Sequence, residues 1–171
     1  MPNEMDTSLE RLAIALGDAL EQRDLMAATA ESCTGGWVAQ AITAIAGSSA
    51  WFERGFVTYS NEAKQEMLGV PAETIATHGA VSAETAAAMA RGALARSRAA
   101  LAVSITGVAG PTGGSVAKPV GTVWFGFAVR AGAVSTRHRL FAGDRYSIRA
   151  QAVRFALQGL LALAAERVPD A

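Results

Sequence analysis

Glu31-Ser32-Cys33-Thr34-Gly35-Gly36 sets hydroxyls, a thiol and two glycines where an apolar run gives way to helical spacing. At a strand-to-helix turn, unpaired N–H groups and the positive end of the helix dipole can hold a phosphate or a developing oxyanion. Ser32 and Thr34 equally suit helix capping and the glycines a tight turn, which is the commoner use of such residues. As a nucleophile Ser32 needs a base, because an unassisted hydroxyl reacts poorly at neutral pH. The imidazoles are His78 and His138; neither sits in a motif, and Gly-x-Ser-x-Gly is absent. Tyr59-Ser60-Asn61-Glu62-Ala63-Lys64 offers another base, since a lysine one turn into a helix can approach a neighbouring strand end and burial favours its neutral amine. Most lysines so placed are solvated, and spacing does not decide between the two. Cys33 is the rival nucleophile, because a thiol at a helix N-terminus ionises more readily, although free cysteines mostly behave as small buried side chains. On residue types alone Ser32 is favoured only slightly.

A second stretch with chemical content runs from Thr106 to Pro119 and includes Gly107, Ala109, Gly110, Gly113 and Gly114. Long loops inside compact domains usually carry function, and successive N–H groups here can cradle a phosphate or a ribose. The pattern is neither a P-loop nor a dinucleotide fingerprint, so nucleoside triphosphates and dinucleotides are not indicated. No His, Asp or Glu grouping has metal-ligand spacing, and neither a metal nor a cofactor is expected.

These segments need elements to position them. Leu9, Leu12, Ala13, Leu16 and Leu20 give an amphipathic helix ending near Arg23, and Leu25 to Ala30 reads as a buried strand leading into the Ser32 turn. Val38, Ile42 and Ile45 continue as a helix to Ala46, with Gly47 as its stop. Phe52 to Tyr59 marks a strand, and Ser60 or Asn61 caps the helix that carries Lys64. The segment around His78 and Gly79 is expected to be irregular, after which Ser82 caps an alanine-rich helix. Leu101 to Ile105 is a third strand. Val123 to Val129 and Val134 to Phe141 pair as a hairpin through Arg130 to Ala133, with Arg137 and Arg139 on one face of the second and His138 and Leu140 on the other. Ile148, Ala152, Phe155 and Leu160 lie on a closing helix that runs to about Arg167. Helix and strand alternating early, with a hairpin late, imply a mixed sheet covered on both faces, a three-layer α/β/α sandwich.

The 171 residues are expected to form a single domain, residues 1–171, with an ordered core of about 7–167. Fifteen basic residues balance fifteen acidic ones, which argues against a nucleic-acid surface. The polar first ten residues lack an export-type apolar region, and no apolar run approaches a membrane span. Cys33 is the sole cysteine, which rules out an internal disulfide and fits a reducing cytoplasm.

Four stretches together resemble the CinA carboxy-terminal domain family. They are Ala30 to Gly36, Gly55 to Lys64, Thr106 to Pro111 and Lys118 to Val123, and Phe141 to Arg145 with Arg149 agrees with the end of the pattern. The enzymatic members of that family are nicotinamide mononucleotide deamidases. The resemblance implies hydrolysis of the carboxamide of nicotinamide mononucleotide to the acid and ammonia, in pyridine nucleotide recycling, and the chain is expected to be the stand-alone form of the family. It also implies a serine and lysine pair assisted by a tyrosine, which fall here on Ser32, Lys64 and Tyr59. Cys33, Thr34, Gly35, Gly36, Thr106, Gly107, Ala109, Gly110 and Arg145 are the expected substrate-binding residues. A homodimer is the expected assembly. The competing expectation, suggested by the family's historical name, is a non-catalytic partner-binding protein of competence or DNA-damage responses.

Overall fold

The computed structural model describes residues 4–166. Its elements in chain order are α1 (Glu4–Glu21), β1 (Ala27–Glu31), α2 (Trp37–Thr43), a 3-10 turn (Ser48–Ala50), β2 (Phe52–Val57), α3 (Asn61–Leu68), α4 (Ala72–His78), α5 (Ala83–Ala95), β3 (Leu101–Gly107), β4 (Thr122–Val129), β5 (Val134–Leu140) and α6 (Arg145–Ala165). The strands form one mixed sheet in the order β2-β1-β3-β4-β5. The first three are parallel, and β4 and β5 join by antiparallel pairing.

Two-residue alternation sorts the central strands into unequal faces. Leu101, Val103, Ile105, Val123, Phe125 and Phe127 point into a core shared with Leu16 and Leu20 of α1, Val38 and Ile42 of α2, and Ile148, Leu157 and Leu160 of α6. The intervening residues Ala28, Ala30, Ala102 and Ala128 are small and meet Met89, Ala90 and Ala93 of α5, together with Leu68 and Ile75 from α3 and α4. Three layers follow, with α1, α2 and α6 on one side and α3, α4 and α5 on the other. The small side chains let α5 ride close to the sheet. Ser104 donates its hydroxyl to Ala86 O at 2.5 Å, and a Cβ on Gly126 would overlap that same carbonyl.

α4 corrects one expectation. The chain from Ala72 to His78 is helical up to Gly79, and Ile75 is its one buried residue, so no apolar period marks it in the sequence. α2 also ends at Thr43, short of Ala46; the Thr43 hydroxyl bonds back to Ala39 O, and Gly47 at φ 85° opens the 3-10 turn instead. Ser60 and Ser82 cap α3 and α5 by accepting from Ala63 N and Thr85 N. Arg167, where the sequence pattern ends the last helix, lies outside the described residues, as do Met1 to Asn3. No described helix is long and apolar enough to cross a membrane.

The strand order places the functional loops. β2 lies on one side of β1 and β3 on the other, so connections leave the carboxyl edge of the sheet in opposite directions. A crevice opens there, the usual place for ligands in such sheets. Ser32 follows β1, Thr58 and Tyr59 follow β2, and Thr106 and Gly107 end β3 at this edge.

Candidate active site

Glu31, the last residue of β1, is fully buried, and its carboxylate accepts from Val38 N at 2.9 Å and Ala39 N at 3.0 Å. It thereby occupies the first turn of α2, where orphan donors and the helix dipole favour negative charge. Ser32 N donates to Ile105 O, and Gly35 N returns to Ser32 O, so the turn is fixed at both ends. Gly35 and Gly36 take φ of 60° and 97°, conformations that glycine reaches without steric cost.

The candidate base arrives from the other side of the sheet. Lys64, in the first turn of α3, is only 1% exposed. Its Nζ donates to Thr58 O at 2.9 Å, Tyr59 O at 3.1 Å and Ser32 Oγ at 3.0 Å. Among the described residues no carboxylate pairs with it. Burial therefore pulls its pKa below the ordinary lysine range. In the neutral amine two hydrogens remain on the carbonyls of Thr58 and Tyr59, and the lone pair is left facing the Ser32 hydroxyl. A buried amine that needs no counter-ion is arranged to give and take one proton.

Burial acts oppositely on the neighbouring thiol. Cys33, 7% exposed, has its pKa pushed up to about 12, chiefly because burial disfavours the thiolate. It stays protonated at neutral pH and is a poor nucleophile. The two imidazoles lie elsewhere: His78 is 3.6 Å from Glu84, and the His138 ring is 5.0 Å from that of Trp124. Neither lines the site.

Ser32, Cys33, Tyr59, Lys64, Thr106, Gly107, Ala109 and Arg145 come together around a cavity of about 190 Å³, joined by Asn61, Ala80 and Val81. Thr34, Gly35, Gly36 and Gly110 do not line it. Thr34 is fully buried, Gly36 caps α2, and the Gly110 carbonyl accepts from Arg145 at 2.8 Å. The Thr106 hydroxyl is committed to Ala80 O at 2.7 Å. Tyr59 is 63% exposed, and its hydroxyl meets the Arg145 guanidinium at 3.4 Å, while its carbonyl serves Lys64. The Lys64–Ser32 contact is thus direct, and the Tyr59 phenol sits on the rim. A larger open groove of about 670 Å³, whose lining includes Leu68, Thr74, His78, Glu84 and Gly92, takes in neither Ser32 nor Lys64.

A model of the CinA C-terminal domain matches residues 9–164. The chain belongs to this family. It is 60% identical over 155 residues to the nicotinamide-nucleotide amidohydrolase PncC of Escherichia coli strain K12, covering 91% of this chain and 94% of that protein. The PncC of Pseudomonas putida is 54% identical over 155 residues, covering 91% of this chain and 96% of that protein. Among solved structures, the competence/damage inducible protein CihA of Agrobacterium tumefaciens superposes with a TM-score of 0.89 at 51% identity, covering 95% of this chain and 97% of that one.

Several residues of this CinA domain's site are not among the site residues expected from the sequence. Ala80 and Val81 reach the cavity from the irregular segment that follows α4, and Asn61 stands at the start of α3. Arg149 bonds the backbone of the Ser32 turn from over a hundred residues away. The family pattern marks Arg149 in the sequence, but this contact shows only in the register of α6 against α2. Glu31 has a readable signal, an acid shortly before the first turn of a helix, but its direction depends on the strand face.

Depression of the Lys64 pKa ties stability to pH. Between its folded and unfolded values the unfolded chain binds more protons, so stability climbs as pH rises through that window and levels off above the ordinary lysine value of about 10.4. Lys64→Met removes this dependence. Urea denaturation across roughly pH 6 to 10 should show the variant gaining most over the native protein at the acid end, with the advantage shrinking upward. An advantage independent of pH would mean that Lys64 titrates normally.

Proposed function

We propose that the protein hydrolyses the carboxamide of nicotinamide mononucleotide to the carboxylate, releasing ammonia, with Ser32 as nucleophile and Lys64 as its base. The observation that carries this is the 3.0 Å contact between a buried, carboxylate-free Lys64 amine and the Ser32 hydroxyl. Relatives named as nicotinamide-nucleotide amidohydrolases, at 60% and 54% identity across nearly their whole length, supply the substrate.

Neutral Lys64 takes the Ser32 proton as Oγ bonds to the amide carbon, and the carbonyl electron pair moves onto oxygen. The carbon–nitrogen bond then breaks, with the proton passing from Lys64 to the departing ammonia. Water attacks the resulting ester, gives its proton to Lys64, and Ser32 leaves with that proton. The balance is amide plus water to acid plus ammonia, without metal or cofactor. A cavity of about 190 Å³ suits a pyridine carboxamide, with the ribose and phosphate extending over the rim at Asn61, Tyr59 and Arg145. Arg145 spends N–H groups on Gly110 O and on the Tyr59 hydroxyl and keeps others for a phosphate, alongside the N–H groups of the loop after Gly107. We also read the working form as a cytoplasmic homodimer, a reading to which the exposed Val57 and Tyr146 and the single buried thiol lend support.

Ammonia release from nicotinamide mononucleotide tests the assignment. Ser32→Ala should lower turnover by roughly 10³-fold or more with little loss of thermal stability, while Cys33→Ala keeps substantial activity. An active serine variant beside a dead cysteine variant would reverse the nucleophile; no release by native protein would sink the whole assignment.

The phosphate contact has its own readout. Nicotinamide riboside should show a specificity constant about ten- to a hundredfold below the mononucleotide, and Arg145→Ala should erase most of that gap. Equal constants for the two substrates in the native enzyme would remove the phosphate site.

A further inference from the structure

Arg149 projects from the second turn of α6, four residues after Arg145 and so on the same face of that helix. Its Nε donates to Cys33 O at 3.0 Å and its Nη2 to Thr34 O at 3.1 Å, one planar fork holding two consecutive carbonyls. The guanidinium also lies 5.5 Å from the Trp37 ring, and among the described residues it has no carboxylate partner. Arg149 does not line the cavity. Its charge is directed at the backbone of the nucleophile turn.

That backbone is where an oxyanion donor must be found. The peptide units of the turn are trans, so each N–H points away from the carbonyl of its own unit. With the Cys33 and Thr34 carbonyls drawn to Arg149, the N–H groups of Thr34 and Gly35 are turned to the opposite side. Gly35 N closes the turn on Ser32 O. Val38 N and Ala39 N are occupied by Glu31, so the first turn of α2 has no spare donors there. Among the described residues this leaves the N–H groups of Thr34 and Gly36 uncommitted near the nucleophile, the Cys33 N–H being drawn to its own thiol, and of the two only the Thr34 N–H belongs to a peptide unit whose carbonyl Arg149 holds.

We propose that Arg149 is the positioning residue of the oxyanion site, holding the Cys33 and Thr34 carbonyls so that the Thr34 N–H faces the oxygen that gains charge when Ser32 attacks. The proposal rests on Ser32 being the nucleophile of the reaction above. Donors aimed in advance at developing charge act strongest where no reorganisation is needed. Without the guanidinium, the Cys33–Thr34 peptide unit is free to rotate and present its carbonyl in place of the Thr34 N–H, whereas the Thr34–Gly35 unit stays held by Gly35 N on Ser32 O and Trp37 N on Thr34 O. Lysine has a single ammonium and cannot hold both carbonyls in one plane, so it restores the function only in part.

Two readouts on Arg149→Met and Arg149→Lys test this. The first is the rate at which a fluorophosphonate labels Ser32, followed by intact-protein mass spectrometry, which needs the oxyanion donors but no nicotinamide substrate. The second is steady-state ammonia release from nicotinamide mononucleotide. In the methionine variant, labelling rate and kcat should both fall on the order of 10- to 100-fold, with KM within about twofold of native. The lysine variant should fall between, with both variants' circular dichroism and melting matching the native protein. If the methionine variant unfolds, the fall in labelling and kcat of the lysine variant decides the matter alone. Unchanged labelling and kcat would overturn the proposal, as would a raised KM at native kcat, which would make Arg149 a substrate ligand. Should native protein label at Ser32 yet release no ammonia, the proposed substrate fails while the labelling comparison still decides the role of Arg149.

Discussion

A lysine amine held 1% exposed against a serine hydroxyl, with two backbone carbonyls and, among the described residues, no paired carboxylate, is the constraint on which the remaining structure depends. Burying an ammonium without a counter-charge is unfavourable, which lowers the pKa of the amine and brings its neutral form nearer to reach. The fold must therefore deliver a hydrogen-bond cage for the amine while excluding both water and acids. Thr58 and Tyr59 do so with main-chain oxygens, which bring dipoles but no net charge. A nearby carboxylate would instead have kept Lys64 charged and useless as a base. Glu31, the acid adjacent to Ser32 in sequence, is turned away and committed to the first turn of α2.

The sheet supplies the rest of the geometry. Because β1 is flanked by β2 and β3, three loops that are far apart in sequence end at one edge within reach of one another. The face carrying α5 is built from alanine, serine and glycine, which brings that helix close and lets Ser104 bond its backbone. The opposite face is built from larger residues and carries α6, whose first two turns bring Arg145 and Arg149 to the same edge. One helix thus serves the cavity rim and the backbone of the Ser32 turn together.

Much of this is legible in the sequence, for reasons that differ by residue. Strands such as Leu101 to Ile105 announce themselves by alternation, and Ser60 and Ser82 by capping chemistry, because those signals are local. The Ser32 turn is visible as hydroxyls and glycines at a strand end. Its partner is not, since the spacing of Lys64 from Tyr59 fits solvation as readily as burial. Resemblance to a family makes that choice, and the residues alone do not. α4 escapes the sequence because seven residues with one buried side chain carry no period. Thr34, Gly35 and Gly36 are expected from the sequence to touch substrate; they do not line the cavity, so any contact they make is through the backbone of the turn. Arg149 reaches Cys33 across the fold, and no pattern along the chain encodes such a contact.

The central claim is that Lys64 is neutral, or readily becomes so, at the pH where the enzyme works. Carbon-13 labelling of the lysine ε-carbon, followed by NMR titration with Lys64→Met used to assign the signal, measures that directly. The account predicts a Lys64 pKa well below that of the other lysine, Lys118, and coincident with the acid limb of kcat/KM. A Lys64 signal that titrates with Lys118, while activity stays full at neutral pH, would contradict it.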